Sequence, residues 1–137
     1  MWLVDSNVLV DVLHNDPIWY AWSADALAMS FHEGGAVVNP VVYAEIAAGF
    51  LNVETMEADL ASLRVGFVEI PKAALFLAGH QFRAYRARSG SPRTSLLPDF
   101  LIGAHAAVLG VPLVTRDTRR FRAYFPTVHL VTPATFG

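Results

Sequence analysis

Short apolar runs alternate along the chain with longer segments in which apolar side chains recur every three or four residues. The short runs predict strands at residues 2–4, 36–39, 66–70, 112–115 and 129–131. The longer segments predict helices at residues 8–13, 17–31, 54–63, 72–88 and 99–107, one that starts at Pro40, and one around Phe121 and Phe125. This alternation predicts an α/β fold, in which helices connect the strands of a sheet.

The chain predicts one domain that spans residues 1–137. It contains no internal repeat, low-complexity tract or linker that would divide it. The clearest loop signal is the stretch of small and turn-forming residues at 89–92, just before the last third of the chain.

The composition is more apolar and less charged than that of an average soluble protein, with 54% hydrophobic and 16% charged residues. Part of the apolar surface is therefore expected to contact a partner or a second copy of the chain, most simply in a homodimer. The uncharged run 100–115 is shorter than the ~20 residues that a membrane-spanning helix needs. The absence of cysteine and of a basic stretch before the first apolar residues predicts a cytoplasmic protein.

Charge is divided unevenly between the two parts of the chain. Residues 1–63 have nine acids and no Lys or Arg, a net charge of -9, whereas residues 64–137 have all ten basic residues and three acids, a net charge of +7. Nine of the ten basic residues are arginines, whose planar guanidinium suits phosphate. Any single arginine is more simply a solvated surface residue. As a group they predict a surface for a nucleic-acid backbone: Arg83, Arg86, Arg88, Arg93, Arg116, Arg119, Arg120 and Arg122.

Four acidic residues stand where predicted strands end or predicted helices begin. Asp5 follows the first strand, Asp117 follows the strand near residue 113, and Asp99 opens a helix. Glu45 lies within the helix that follows the second strand. Because the carboxyl ends of parallel strands meet along one edge of the sheet, we expect these four side chains to converge there. Such a cluster suits a hard divalent cation with oxygen ligands, Mg²⁺ or Mn²⁺.

Each acid also has a purely structural interpretation. Asp5, Asp99 and Asp117 could each cap the helix that follows. Glu45 is predicted to be buried, because it is the only charged residue in the apolar run 35–50, and a buried carboxylate needs a partner or a metal. A metal site explains all four acids together, and we therefore favour it.

Other common site chemistries find little support in the chain. The five histidines show no metal-ligand spacing such as H-E-x-x-H, and His105 is predicted to be a packed or hydrogen-bonded core residue. The hydroxyl residues have no evident His-Asp relay for nucleophilic hydrolysis. There is no P-loop and no G-x-G-x-x-G motif for nucleotide binding.

Four short motifs, in this order, resemble those of the PIN domain family. They are Val4-Asp5-Ser6-Asn7 with Val8-Leu9, Glu45 inside an apolar helix, Pro98-Asp99 before Ile102-Gly103-Ala104, and Leu113-Val114-Thr115-Arg116-Asp117 with Phe121. Each motif alone is weak, but the four together are fairly specific and cover residues 1–133. Within the family, the single-domain architecture resembles the VapC-type toxins of bacterial toxin–antitoxin pairs.

The resemblance implies a three-layer α/β/α fold with a central, mainly parallel sheet. It also implies a Mg²⁺- or Mn²⁺-dependent endoribonuclease and a VapB-like antitoxin that blocks its site. The acidic quartet of the family matches Asp5, Glu45, Asp99 and Asp117, and its small polar supports match Asn7 (or Ser6) and Thr115. Where some relatives have a further acid after the last Asp, this chain has Arg119 and Arg120, which leaves open whether one or two ions bind.

Two other functions remain open. The first is a non-catalytic module that binds RNA or protein and keeps the acids as part of the fold. The second is a metal phosphohydrolase of the haloacid dehalogenase kind, which needs a second Asp two residues after the first, where this chain has Asn7. A receiver domain would need a pair of acids near Asp5 and a later lysine, and the only lysine is Lys72.

Overall fold

The computed structural model describes residues 1–89 and 96–134, and five short strands in these ranges form one sheet. The strands are β1 (Trp2–Val4), β2 (Ala36–Val38), β3 (Val65–Phe67), β4 (Leu113–Val114) and β5 (Leu130–Val131). Their order in the sheet is β3-β2-β1-β4-β5, and every neighbouring pair is parallel. The predicted parallel sheet is therefore confirmed.

Helices connect the strands, as parallel pairing requires, and flank the sheet. They are α1 (Ser6–Leu13), α2 (Tyr20–His32), α3 (Pro40–Ala47), α4 (Val53–Ser62), α5 (Lys72–Ser89), α6 (Leu97–Leu109) and α7 (Arg119–Tyr124). This arrangement confirms the predicted α/β/α architecture. Within the described residues, none of these helices is both long and apolar enough to cross a membrane.

Most predicted boundaries differ from the observed ones by one to three residues, and two of the differences are described here. The third strand was expected at 66–70, but β3 ends at Phe67, and one more backbone hydrogen bond to β2 follows it, from the Val68 N–H to the Val38 carbonyl oxygen at 2.9 Å. The helix expected from Asp99 begins earlier, at Leu97, with Pro98 in its first turn, where the missing N–H costs nothing. Most of the predicted loop at 89–92 lies outside the described residues.

The central strands and the apolar face of α6 contribute many of the fully buried side chains of the core, and the other helices and strands contribute most of the rest. Leu3, Val4 and Leu113 of the sheet are fully buried, as are Phe100 and Ile102 of α6. Burial of such side chains is the main stabilising contribution to a domain of this size.

Gly103 lets α6 approach α7 closely. A Cβ atom at this position would lie 2.3 Å from Cδ2 of Phe125 and 3.1 Å from Cδ1 of Phe121. Glycine is therefore required here by the contact between helices and not by the backbone angles of the helix.

The order of the strands places the ends of β1 and β4 side by side. Val4 of β1 is in register with Val114 of β4, and the next N–H, that of Asp5, donates to the Val114 carbonyl oxygen at 2.9 Å. The chain leaves β1 toward β2 on one side, and β4 lies on the other side. In parallel sheets, crevices for ligands open outside the carboxyl ends of strands at such a switch point.

Candidate active site

Asp5 occupies the switch point, and its carboxylate accepts hydrogen bonds from three groups that follow β1 and β4. Its Oδ1 atom accepts the Ser6 backbone N–H at 2.8 Å, so that Asp5 caps α1 as the capping interpretation predicted. Its Oδ2 atom accepts the Thr115 hydroxyl at 2.8 Å and the Asn7 side-chain amide at 3.3 Å. The Asp117 backbone N–H in turn donates to the Thr115 hydroxyl oxygen at 3.0 Å. The orientation of the Asp5 carboxylate is therefore determined by contacts on both oxygens.

Burial makes the ionised form of Asp5 unfavourable. The side chain is only 5% exposed, and desolvation raises its pKa from 3.8 to about 6. Hydrogen bonds from Thr115 and Ser6 oppose the increase, whereas the nearby charges of Asp99 and Glu45 add to it. Among the described residues no arginine or lysine forms an ion pair with Asp5. Asp5 is thus a buried acid near two other acids, without a basic partner.

Glu45 reaches the same region from α3 but is exposed, so the prediction that it is buried was wrong. Asn39 caps the helix, since its Oδ1 accepts the Val42 N–H at 2.9 Å, and Glu45 lies on the solvent side of the helix between the buried residues Val42 and Ile46. Partial desolvation raises the pKa of Glu45, a hydrogen bond from the Ser6 side chain lowers it, and the charge of Asp99 raises it further. Hydrophobic neighbours in sequence did not imply burial, because they point away from this face of the helix.

Asp99 lies in the first turn of α6 and is partly exposed. One of its oxygens forms an ion pair with Nη1 of Arg120 in α7. Desolvation raises the pKa of Asp99, the Arg120 guanidinium offsets part of that increase, and the charge of Asp117 adds to it. The residue that precedes α6 is Leu96, so Asp99 does not cap this helix.

Asp117 completes the set at the exposed end of β4. Thr118, not Asp117, precedes α7 at the capping position, and its side chain makes no capping hydrogen bond. The capping interpretation therefore holds for Asp5 and fails for Asp99 and Asp117.

The donor chemistry of the four acids suits a hard divalent cation, since carboxylate oxygens are the ligands that such ions prefer. The acids are close enough to influence one another's pKa, with Asp5 sensing Asp99 and Glu45, and Asp99 sensing Asp117. Even so, within residues 1–89 and 96–134 no three acidic or histidine side chains stand at the spacing of a metal-ligand set. The pKa effects and the absence of a ligand set are compatible, because charges interact over longer distances than those between a metal ion and its ligands. Metal binding would require side chains to move.

Arg116, expected in the phosphate-binding group, is partly buried and pairs with the buried acid Asp11. Its Nε and Nη2 atoms donate to the two oxygens of Asp11 at 2.8 and 3.0 Å, and its guanidinium lies 5.0 Å from the ring centre of Trp19. Asp11 is 2% exposed and also accepts the Ser23 hydroxyl at 2.7 Å. These contacts tie the segment with Thr115 to α1 and α2.

Sequence reasoning missed Asp11. A signal was available, because Asp11 falls three residues after Val8 on the buried face of α1, where an acid needs a partner.

Other arginines of the predicted phosphate-binding group are exposed on α5 or line a cleft beside Asp117. Arg83, Arg86 and Arg88 are exposed on α5, and the Arg88 guanidinium lies 5.7 Å from the ring centre of Tyr124. A cleft of about 420 Å³ opens between α5 and α7, lined by Tyr85, Asp117, Arg119, Arg120, Ala123 and Tyr124. Arg93 lies outside the described residues. A basic and aromatic cleft therefore adjoins the acidic centre at Asp117.

His105 confirms the prediction of a hydrogen-bonded core residue. It is fully buried, with Nδ1 3.2 Å from the side-chain amide of Asn39. Since the Asn39 oxygen already accepts the Val42 N–H, its amide donates to Nδ1, which assigns the proton of His105 to Nε2. Burial lowers the pKa of His105, and the neutral ring is a structural element beneath α3.

The chain matches the model of the PIN domain family over residues 2–125. No curated protein sequence is significantly similar to it. Three solved structures have a similar fold, each at 20% sequence identity. A DNA-bound VapBC from Salmonella typhimurium has a TM-score of 0.68 over 96% of each chain, and a toxin-antitoxin complex from Klebsiella pneumoniae has a TM-score of 0.65 over 97% of this chain and 98% of the other. FitAcB from Neisseria gonorrhoeae has a TM-score of 0.62 over 98% of this chain and 99% of the other. At this identity the likeness concerns the fold.

Proposed function

The chain belongs to the PIN domain family, and on that premise we propose that it is a metal-dependent endoribonuclease that acts as the toxin of a toxin–antitoxin pair. PIN domains are generally divalent-metal-dependent nucleases, and the proposal assigns that chemistry to the acidic centre around Asp5. The observation that carries it is the burial of Asp5 at the switch point, near Asp99 and Glu45 and, among the described residues, without a basic partner. A carboxylate with a pKa raised to about 6 is an unfavourable structural element unless a cation compensates it.

Asp5, Glu45, Asp99 and Asp117 would hold Mg²⁺ or Mn²⁺. When bound, the ion would neutralise charge on the scissile phosphate and lower the pKa of a water molecule. Thr115 and Asn7 keep the Asp5 carboxylate in one orientation through its Oδ2 atom. Glu45, at the solvent side of the centre, would orient the attacking water. In-line attack of that water on phosphorus breaks the bond to the 3′-oxygen, so one product ends in a 3′-hydroxyl and the other carries a 5′-phosphate.

The RNA backbone would follow the basic surface of α5 and α7. Arg83, Arg86 and Arg88 are exposed there, and Arg119 lines the cleft beside Asp117. Arginines next to tyrosine rings suit single-stranded RNA, because the guanidinium contacts phosphate while rings contact bases. Arg116 contributes less to this surface, since Asp11 already binds its guanidinium.

An antitoxin would cover apolar surface formed by α1, α2 and the end of α4. A groove of about 320 Å³ is lined by residues of α1, α2 and α4, including Tyr20, Leu27, Phe31 and Leu63. Tyr20 and Phe31 are 41% and 48% exposed and line the same groove, and contiguous exposed apolar surface marks interaction sites. The structure from Klebsiella pneumoniae is a toxin-antitoxin complex, which supports a partner of this kind. Self-association as a homodimer and a cytoplasmic location stay predictions.

A non-catalytic PIN-like module is the second candidate. The observation in its favour is that Arg120 is paired with Asp99 and that the described acids do not stand at ligand spacing. In that case the acids would be retained for the fold and the arginines for binding.

Cleavage of total cellular RNA separates the two candidates. With Mn²⁺ the wild-type protein should yield discrete fragments that carry 5′-phosphates, and EDTA should abolish them. Asp99→Asn should remove cleavage while circular dichroism shows a folded protein, and Asp25→Asn, an exposed acid of α2, should cleave normally. Absence of metal-dependent fragments from wild type would favour the non-catalytic module.

A further inference from the structure

Arg120 and Asp99 form the one arginine contact, among the described residues, that reaches an acid of the proposed metal centre. The two residues are 21 positions apart and come from the first turns of α7 and α6. The other ion pair, Arg116 with Asp11, lies outside the centre. A cation from the chain itself therefore already sits on one of the proposed metal ligands.

A guanidinium and a divalent ion cannot use the same carboxylate oxygen at once. Arginine stays charged at any physiological pH, so deprotonation does not release Asp99. Arg120 also adds a positive charge that repels an approaching cation. The absence of a ligand set at metal spacing within residues 1–89 and 96–134 agrees with a centre in which Arg120 is bound to one of the acids, Asp99.

The exposure of the pair makes it displaceable. The side chains of Arg120 and Asp99 are 25% and 28% exposed, and partly exposed ion pairs are weak because water screens them. Arg116 differs, since two hydrogen bonds to the nearly inaccessible Asp11 hold it. Arg120 also lines the cleft next to Arg119, so that its guanidinium has space near the proposed RNA path when it leaves Asp99.

We propose that Arg120 is a built-in counter-ion of the metal centre: it pairs with Asp99 in the metal-free protein, must leave for metal to bind, and thereby raises the metal concentration at which the centre fills. This inference rests on the proposed function, because it assumes that the acids bind a divalent ion.

Calorimetric titration of the metal-free protein with Mn²⁺, in the absence of RNA, tests the inference directly. Arg120→Gln should bind Mn²⁺ on the order of ten-fold more tightly than wild type, since both competition and repulsion are removed. Arg122→Gln removes the same charge from an exposed position of α7 and should stay within about two-fold of wild type. Arg120→Lys, which keeps the charge, should also stay close to wild type.

A double-mutant cycle shows whether the effect passes through Asp99. In the Asp99→Asn background, Arg120→Gln should change Mn²⁺ affinity far less than in wild type. If Arg120→Gln folds poorly, Arg120→Met keeps the apolar stem and serves in its place.

The outcomes separate this inference from the proposed function. Wild-type binding of Mn²⁺ with equal or weaker binding by Arg120→Gln would overturn the counter-ion role and leave the metal centre intact. If neither protein binds Mn²⁺ at millimolar concentration, the metal centre and the counter-ion role both fall. An equal gain in Arg122→Gln would reduce the effect to general charge and would also overturn the role of Arg120.

Discussion

In the metal-free protein, the unfolding free energy of Asp5→Asn relative to wild type should increase as the pH rises, although the substitution removes the central acid of the proposed site. Asp5 is 5% exposed, and its pKa is raised to about 6, chiefly by desolvation. Folding at neutral pH therefore buries an ionised group that water would solvate better. Asparagine has nearly the same shape and carries no charge to bury.

The magnitude follows from the two pKa values of Asp5. The shift from 3.8 in the unfolded chain to about 6 in the folded protein corresponds to about 3 kcal/mol, at about 1.4 kcal/mol for each pKa unit. Between these values the folded state keeps its proton while the unfolded state has lost it. The stabilising contribution of protonated Asp5 is thus complete below pH 3.8 and is lost as the pH rises through about 6. About 2 of the 3 kcal/mol fall between about pH 4.5 and 7.

The hydrogen bonds lost in Asp5→Asn lower its unfolding free energy by the same amount at every pH, so they do not change how the difference from wild type varies with pH. The substitution leaves the Thr115 hydroxyl and the Asn7 amide with one carboxylate oxygen fewer, which costs about 1 kcal/mol for each lost bond at every pH. The unfolding free energy of Asp5→Asn relative to wild type should therefore rise by about 2 kcal/mol from pH 4.5 to 7, whatever its value at the start.

Urea unfolding in EDTA, followed by tryptophan fluorescence at several pH values from 4.5 to 7, measures this difference. Asp25→Asn, at an exposed position of α2, is the matched control and should give a flat difference. Added Mn²⁺ should stabilise wild type and Asp25→Asn but not Asp5→Asn. A flat or falling difference for Asp5→Asn would refute the reasoning, because it would mean that burial does not raise the pKa of Asp5.

Two further substitutions test contacts around the site. Arg116→Ala should lower the unfolding free energy by about 3 kcal/mol, because it leaves buried Asp11 without a guanidinium partner. Adding Asp11→Leu to this variant should recover part of the loss. A decrease below about 0.5 kcal/mol for Arg116→Ala in urea unfolding would contradict this prediction. Gly103→Ala should lower the unfolding free energy by about 1–2 kcal/mol, since the added methyl group meets the Phe125 ring and outweighs the better helix propensity of alanine. An unchanged or higher melting temperature would show that Phe125 and α7 move to accommodate the methyl group without loss of stability.

The sequence by itself determined the order of the helices and strands and the positions of the chemically important acids within them. The spacing of apolar residues sufficed because each element must bury one face, and that requirement is local. It also placed Asp5 at the end of β1, whereas Thr115 was expected as a support only from the family resemblance, and its contact with Asp5 depends on the pairing of β4 with β1. His105 could be assigned to the core for the same reason, as its neighbours along α6 are apolar.

Only the tertiary structure decided how charges are paired. The ion pair of Asp99 with Arg120 joins residues 21 positions apart, and that of Asp11 with Arg116 joins residues 105 positions apart. Such pairs depend on the order of the strands in the sheet and on the rotation of each helix about its axis. The same holds for Glu45, which was predicted to be buried and is exposed, because the rotation of α3 about its axis decides which side faces water. Ion pairing and solvent access are set by distances in space, which the local pattern of apolar and polar residues does not contain.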